Sequence, residues 1–368
     1  ALSHSNLESP RLIGVITDAV RDSDRSVQSA ATLALRSLQE DTDLAVDALA
    51  ELLSDDEADV RGSAAFALGA LGPRAESVVD EMIAALKKSS DDTSQLAKAI
   101  SRVGPSAVPA LLKASGDPDH SPEVLAEALA EVGPGATDPL IEALGGTSLA
   151  ARISAAHALG SMNPTPAASE EALAHCLEDP DETLRAAAVS AIGHAKRVNN
   201  ESLAKLHDLT TDASPAVRAS ATEALVNVES DREKVATVLS NAVDDKDPLV
   251  RSRAIAGLGR IGQASTADAI APSTADPVVD VRMAAYQALA DCADADAANA
   301  LQAGLKDEAD LVVGTCLAAL GRVAPERATE VLPVWLQDHP DSKMRHRAVE
   351  GLGATGDRAP TEILRQAL

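Results

Sequence analysis

Aromatic side chains are almost missing from this sequence of 368 residues, which contains one Trp, one Tyr and one Phe. A compact core of this size would normally use many bulky rings to fill its interior. The apolar residues, 45% of the chain, are instead mainly Ala, Leu, Val and Ile. This composition favours helices packed closely in a thin, repeated layer over one thick globular core.

Basic residues, long apolar runs and cysteines are also scarce. The chain has 32 Lys and Arg against 57 Asp and Glu, a net charge of -25, which argues against sequence-independent nucleic-acid binding. No uninterrupted apolar stretch is long enough for a membrane span. Cys176, Cys292 and Cys316 lie far apart without CxxC spacing, and the first residues lack a signal-peptide pattern. We therefore expect free thiols and a cytoplasmic location.

What the sequence does contain is a repeat. A small residue followed by Leu or Ile recurs eleven times, at intervals of 29 to 33 residues. The pairs are Ala34-Leu35, Ala67-Leu68, Ala99-Ile100, Ala128-Leu129, Ala158-Leu159, Ala191-Ile192, Ala224-Leu225, Gly257-Leu258, Ala288-Leu289, Ala319-Leu320 and Gly351-Leu352. Each unit has apolar spacing typical of two helices, with Asp, Pro and Ser between them and a Gly at the end of the second. An array of about eleven two-helix repeats is predicted.

A second marker is an arginine six residues before the pair. It occurs in seven units, and this set is referred to as the arginine ladder: Arg61, Arg152, Arg185, Arg218, Arg251, Arg282 and Arg345. Its regular spacing predicts a structural role in stacking, because a binding site would not be needed in every unit.

Segments such as GPRAESVVDEMIAALKKSSDD and DPLVRSRAIAGLGRIG resemble the short HEAT-like repeats first described in phycobilin lyases. The resemblance covers residues 10–368 and leaves residues 1–9 as an N-terminal tail. It implies an all-α, right-handed α-α superhelix, and the chain is expected to end in a capping helix at about 359–368. In that family the second helices line the concave face, and the recurrent Arg bonds acidic or carbonyl groups between neighbouring units.

The dense carboxylates and the shortage of Lys, ten of the 32 basic residues, resemble proteins of salt-loving archaea. The alternative is an ordinary acidic scaffold. Because salt screens the self-repulsion of a highly charged fold, the melting temperature is expected to rise between low and molar KCl. A melting curve that is the same at both salt levels would contradict the halophilic interpretation.

The pattern breaks in four units, where Gln28, Thr93, Pro122 and Val313 replace the arginine. The third and fourth units are adjacent, and the intervals around them shorten to 29 and 30 residues. We expect residues 90–150 to hold a local change of curvature or a binding seam. The alternative is a pair of degenerate units that the array tolerates.

The helical register also predicts which side chains face the groove. Positions one, five and nine after the arginine site should be exposed on the second helices. The resulting set, referred to as the strip, is the expected partner-binding surface, the alternative being a merely solvated helix face. The strip comprises Phe66, Lys98, Arg102, Glu123, Glu127, Glu131, His157, Ser190, His194, Glu223, Asn227, Arg260, Gln287, Asp291, Arg322, His346 and Glu350.

Motifs for catalysis or metal binding are not found. His157 and His194 are predicted on second helices and His175 and His207 on first helices, so they should not share a metal ion. No His is followed by Glu, as the iron hydroxylases with HEAT-like folds require, and nothing marks a bilin site. We expect no catalytic residue, metal or cofactor.

The predicted function is a non-catalytic scaffold, a monomer or weak oligomer. Its partner would be a protein whose basic segment complements the acidic surface. The alternative is an enzyme subunit that handles a small molecule, for which His157, Ser190 and His194 would be the first residues to test.

Overall fold

The computed structural model describes residues 9–22, 24–37, 42–87, 93–292 and 296–356. Within these ranges the regular elements are α-helices and short 3-10 helices, and no strand is present. The capping helix predicted at about 359–368 lies outside the described residues. So does the tail predicted over residues 1–9, except Ser9, where the first helix begins.

The chain divides into two units, residues 1–196 and 197–368. The first contains α1 (Ser9–Val20), α2 (Arg25–Ser37), α3 (Thr42–Leu52), α4 (Ala58–Leu71), α5 (Val79–Leu86), α6 (Thr93–Val103), α7 (Val108–Ala114), α8 (Pro122–Glu131), α9 (Thr137–Leu144), α10 (Leu149–Ser161), α11 (Glu170–Cys176) and α12 (Glu182–Gly193). Short 3-10 helices precede α5, α7, α9 and α11.

The second unit contains α13 (Asn200–Leu209), α14 (Pro215–Val228), α15 (Arg232–Ala242), α16 (Pro248–Ile261), α17 (Ala264–Ile270), α18 (Val279–Cys292), α19 (Ala297–Gly304), α20 (Asp310–Val323), α21 (Pro325–Asp338) and α22 (Ser342–Gly353). Each of the eleven small-Leu or small-Ile pairs lies on an even-numbered helix. Every repeat is thus an odd helix followed by an even one, and the prediction of an all-α solenoid is confirmed.

Close contacts between even helices explain why the first residue of several pairs is small. Gly160 follows the Leu of its pair on α10, and a Cβ added there would lie 2.7 Å from the Cα of Ala191 on α12. Gly69 faces Ala99 and Gly259 faces Ala288 in the same way, also at 2.7 Å. A larger side chain at either position would force the two backbones apart.

The helix ends use the caps that the turn composition predicts. The Asp181 carboxylate accepts the backbone N–H groups of Thr183 and Leu184 at the start of α12. Gly262, with a φ of 67°, ends α16 in the left-handed conformation, and its N–H donates to the carbonyl of Leu258. Such caps fix where each helix begins and ends, and therefore which side chains of the even helices are exposed.

The core consists of aliphatic side chains in layers between odd and even helices, such as Leu239, Leu258 and Ile270 in the second unit. Of the aromatic residues, Tyr286 is buried, whereas Phe66 is 50% exposed. All three cysteines are buried and unpaired with one another. In the part of the chain that the structure describes, no helix combines the length and the apolar character that a membrane crossing requires.

Candidate functional site

The arginine ladder connects the turns of successive repeats. Arg218 donates from Nε and Nη2 to the carboxylate of Asp245, at 2.8 and 2.7 Å, in the next repeat. Its Nη1 donates to the carbonyls of Asp212 and Ala213 in its own turn, at 2.9 and 3.1 Å. The hydrogen bond from Arg218 holds the pKa of Asp245 below its usual value. This cation–aspartate contact between repeats is referred to as a clamp.

The same clamp recurs in both units. In the second unit Arg251 binds Asp276 and Arg282 binds Asp307, each through two hydrogen bonds. In the first unit Arg152 donates to Asp179 at 2.6 Å and to the carbonyl of Leu144. Most donors of these guanidinium groups are therefore occupied within the fold, which leaves them little to offer a partner.

The remaining ladder members all hold their own turns. Arg61, Arg185 and Arg345 each donate from Nη1 to the carbonyls five and six residues earlier. Among the described residues, Arg61 forms no clamp, and its buried Nε has no hydrogen-bond partner there. In the repeat that follows Arg61, Lys87 occupies the position that Asp179 and Asp245 occupy in the repeats that follow Arg152 and Arg218.

Two clamps use cations that the sequence pattern did not reveal. Arg21 donates from Nε to Asp55 at 2.8 Å, although its repeat has Gln28 at the ladder position. Lys87 binds Asp117, although its repeat has Thr93 there. Both cations stand directly after the first helix of their repeat, at the residue following Val20 or Leu86. That shared position is the signal that could have identified them.

The residues of the strip lie on the even helices or directly after them. All are exposed except Ser190, which is half-buried. In the second unit, residues of the strip form hydrogen bonds with one another. Arg260 donates to Asn227 and Arg322 donates to Asp291, both at 2.7 Å. In the first unit the Arg102 guanidinium lies 6.0 Å from the centre of the Phe66 ring.

Three glutamates of the strip follow one face of α8, and they are less well paired. Glu123 accepts a hydrogen bond from the Ser121 hydroxyl at 2.6 Å. Glu131 lies 4.0 Å from Lys98, at the limit of an ion pair, and accepts a long hydrogen bond of 3.4 Å from the Ser101 hydroxyl. Glu127 forms no hydrogen bond or ion pair with any residue that the structure describes. The row therefore keeps most of its negative charge free for another molecule.

A groove of about 750 Å³ separates this row from α10. Its surface is formed by Ala126 and Ala130 of α8, Ala150 and Ile153 of α10, and Met162. Glu123, Glu127, Glu131 and His157 also line it. Partial desolvation by the surrounding groove lowers the pKa of His157, although its ring stays partly exposed, and the nearby Glu123 only partly opposes this effect. The groove has one acidic wall, formed by the glutamates of α8, and an apolar floor.

A smaller cavity of about 340 Å³ lies between α2 and α4 of the same unit. Leu33 and Phe66 contribute its apolar surface, and Gln28, Asp59 and Gln95 its polar surface. This cavity places the single Phe of the chain where a partner side chain could reach it.

The structure does not bring together the residues named for an enzymatic alternative. His157 lines the α8–α10 groove, but Ser190 and His194 are not among its lining residues. His207 instead contacts Glu229 in the second unit, at 3.4 Å. Across the described ranges, no group of three His, Cys, Asp or Glu side chains is placed to hold a metal ion.

Comparison with known families and structures gives a consistent result. A family model described as HEAT repeats matches residues 1–69, 110–193, 169–247 and 235–315. A second, described as PBS lyase HEAT-like repeat, matches residues 60–88. No curated protein sequence matches the chain.

Two solved structures show a similar fold. The karyopherin Kap121p, bound to the extreme C-terminus of the protein phosphatase Cdc14p, is 13% identical with a TM-score of 0.56, covering 94% of this chain and 46% of that one. Kap95p, from a study of its binding to RanGDP, is 13% identical with a TM-score of 0.53, covering 96% of this chain and 59% of that one. The chain spans about half the length of these proteins, and the likeness at this identity concerns the fold alone.

Proposed function

The chain belongs to the HEAT-repeat family, and from this premise we propose that it is a non-catalytic scaffold that binds a protein partner through the strip. The observation that carries the proposal is the exposure of the strip on helices whose turns are fixed by clamps and caps. A surface formed before binding loses little ordering entropy when a partner docks. A protein of similar fold, Kap121p, holds a segment of another protein in a solved complex.

The charge of the chain supports a partner with a basic segment. A net charge of -25 attracts cationic surfaces and accelerates their encounter with the chain. An enzymatic role is supported less well, because a small-molecule site requires polar groups that converge in one pocket. His157, Ser190 and His194 do not share such a pocket in the described structure.

The proposal is tested by capturing partners from the native organism with charge-reversed variants. One pair per unit changes the strip: Glu127→Lys with Glu131→Lys, and Glu223→Lys with Glu350→Lys. A matched pair, Glu142→Lys with Glu171→Lys, places the same charges on the exposed surface of α9 and α11. At least one strip pair should reduce recovery of a specific partner about tenfold or more, because reversed charges both remove attraction and add repulsion.

The control pair should recover as much of that partner as the unmodified chain. A partner recovered equally with all variants would show that the strip is not the binding surface. Thermal melting of each variant should match the unmodified chain, since all these side chains are exposed.

A further inference from the structure

Neighbouring repeats within each unit are held together by two kinds of contact between successive even helices and their turns. The first is the clamp, and the second is a close backbone approach at a glycine that follows the Leu of the pair. Among the described residues, clamps are formed by Arg21, Lys87, Arg152, Arg218, Arg251 and Arg282. Glycine contacts are formed by Gly69, Gly160, Gly259 and Gly321.

The junction between α8 and α10 has neither contact in the described structure. Pro122 occupies the ladder position, Gly146 occupies the position of the receiving aspartate, and Ala130 replaces the glycine. In addition, α8 starts late in the repeat: Pro122 is its first residue, whereas Arg152, at the same register position, is the fourth residue of α10. The α8–α10 groove lies at this junction, which has neither the clamp nor the glycine contact.

The spacing of the glutamates indicates the conformation of a ligand. Glu123, Glu127 and Glu131 are four residues apart, so their positions repeat about every 6 Å along the helix. In an extended peptide, side chains on one side repeat every second residue, or about 6.7 Å. Over the three glutamates, the two repeats differ by about 1.4 Å in total, which flexible Lys or Arg side chains absorb.

We propose that the α8–α10 groove binds an extended segment of the protein partner that carries Lys or Arg at every second position. The basic side chains face the glutamate row of α8, while the intervening small apolar side chains point the other way, towards Ala150 and Ile153 of α10. The three carboxylates, of which Glu127 has no hydrogen-bond or ion-pair partner among the described residues, supply the attraction, and the apolar floor excludes water from the contact. This inference rests on the proposed scaffold function and names the chemistry of the partner segment.

The test measures binding of two fluorescent peptides to the full chain by fluorescence anisotropy. Both contain three lysines and the same number of alanines; one alternates Lys with Ala, and the other has its lysines in a row. The measurement uses the lowest KCl concentration at which melting shows the chain to be folded. The alternating peptide should bind about tenfold more tightly, because it alone places all three lysines on one side at the glutamate spacing, whereas three lysines in a row place only two there.

Neutral variants then locate the site. Glu127→Gln should weaken binding of the alternating peptide about two- to fivefold, in line with the strength of exposed ion pairs. Replacing all three glutamates by Gln should remove the preference for the alternating peptide. Glu142→Gln, which removes an equal charge from exposed α9, should leave both affinities unchanged.

Equal affinity for the two peptides, or an equal loss with Glu142→Gln, would show unspecific charge attraction and overturn the inference. If neither peptide binds but a captured partner still depends on the strip, the scaffold function stands and the groove inference is wrong. If neither peptide binds and no captured partner depends on the strip, both are wrong.

Discussion

Replacing Arg218 by methionine (Arg218→Met) is expected to lower the free energy of unfolding by about 2–4 kcal/mol. The substitution keeps the length of the side chain but removes its charge and all its donors. Asp245 then keeps a half-buried charge without its partner, and the carbonyls of Asp212 and Ala213 lose their side-chain donor. Urea unfolding followed by circular dichroism measures the change.

Arg253→Met is the matched control, since Arg253 lies on the exposed face of α16 and forms a solvent-exposed ion pair with Glu223 at 3.0 Å. This substitution should lower the free energy of unfolding by less than about 1 kcal/mol. In a double-mutant cycle with Asp245→Asn, Arg218 and Asp245 should show a coupling of at least about 1 kcal/mol. Equal losses for Arg218→Met and Arg253→Met would show that the clamp contributes no more than a surface ion pair.

The effect of Arg218→Met should also depend on pH. The folded pKa of Asp245 is held below its unfolded value, chiefly by the hydrogen bond from Arg218. A depressed carboxyl pKa contributes stability that is present above the unfolded pKa and is lost as the pH falls through the folded one. The stability difference between the unmodified chain and Arg218→Met should therefore shrink below about pH 4.

Gly160→Val is expected to destabilise the fold by about 3 kcal/mol. A Cβ at this position would lie 2.7 Å from the Cα of Ala191 and 2.9 Å from its Cβ. Because both partners are helix backbone, no side chain can rotate to relieve the overlap, and α10 and α12 must separate. The midpoint of thermal unfolding should fall accordingly.

Gly62→Val is the control, because Gly62 is also helical but has only the end of the Gln95 side chain, at 3.9 Å, near its added Cβ. It should change stability by less than about 1 kcal/mol. If Gly160→Val and Gly62→Val lower the free energy of unfolding by the same amount, helix propensity rather than close packing would explain the effect at Gly160.

Much of this architecture could be predicted from the sequence because the repeat has one register. Once Ala158-Leu159 is aligned with the other pairs, helical periodicity determines that Leu159 is buried and His157 is exposed. The ladder arginines are found by the same alignment. Each of these predictions depends only on the position of a residue within its own repeat.

The features that could not be predicted depend on contacts between residues of two different repeats. Lys87 lies outside the ladder register, yet its ammonium reaches Asp117 in the next repeat. Likewise, the glutamates of α8 could be assigned to the strip, but their position beside a groove depends also on residues of α10, such as Ala150 and Ile153. The distance between two helices depends on side chains of both helices, and the sequence of a single repeat specifies the side chains of only one of them.

The clamps also determine how such an array can change in length. Asp245 is held at both ends, since its carboxylate accepts from Arg218 and its backbone carbonyl accepts from Arg251. Asp245 thus accepts one hydrogen bond from the arginine of the preceding repeat and one from the arginine of its own repeat. One extra residue between Asp245 and Arg251 would move the Asp245 carbonyl away from Arg251 and break this bond. The intervals between repeats, which vary from 29 to 33 residues, are therefore expected to change through insertions and deletions outside this turn.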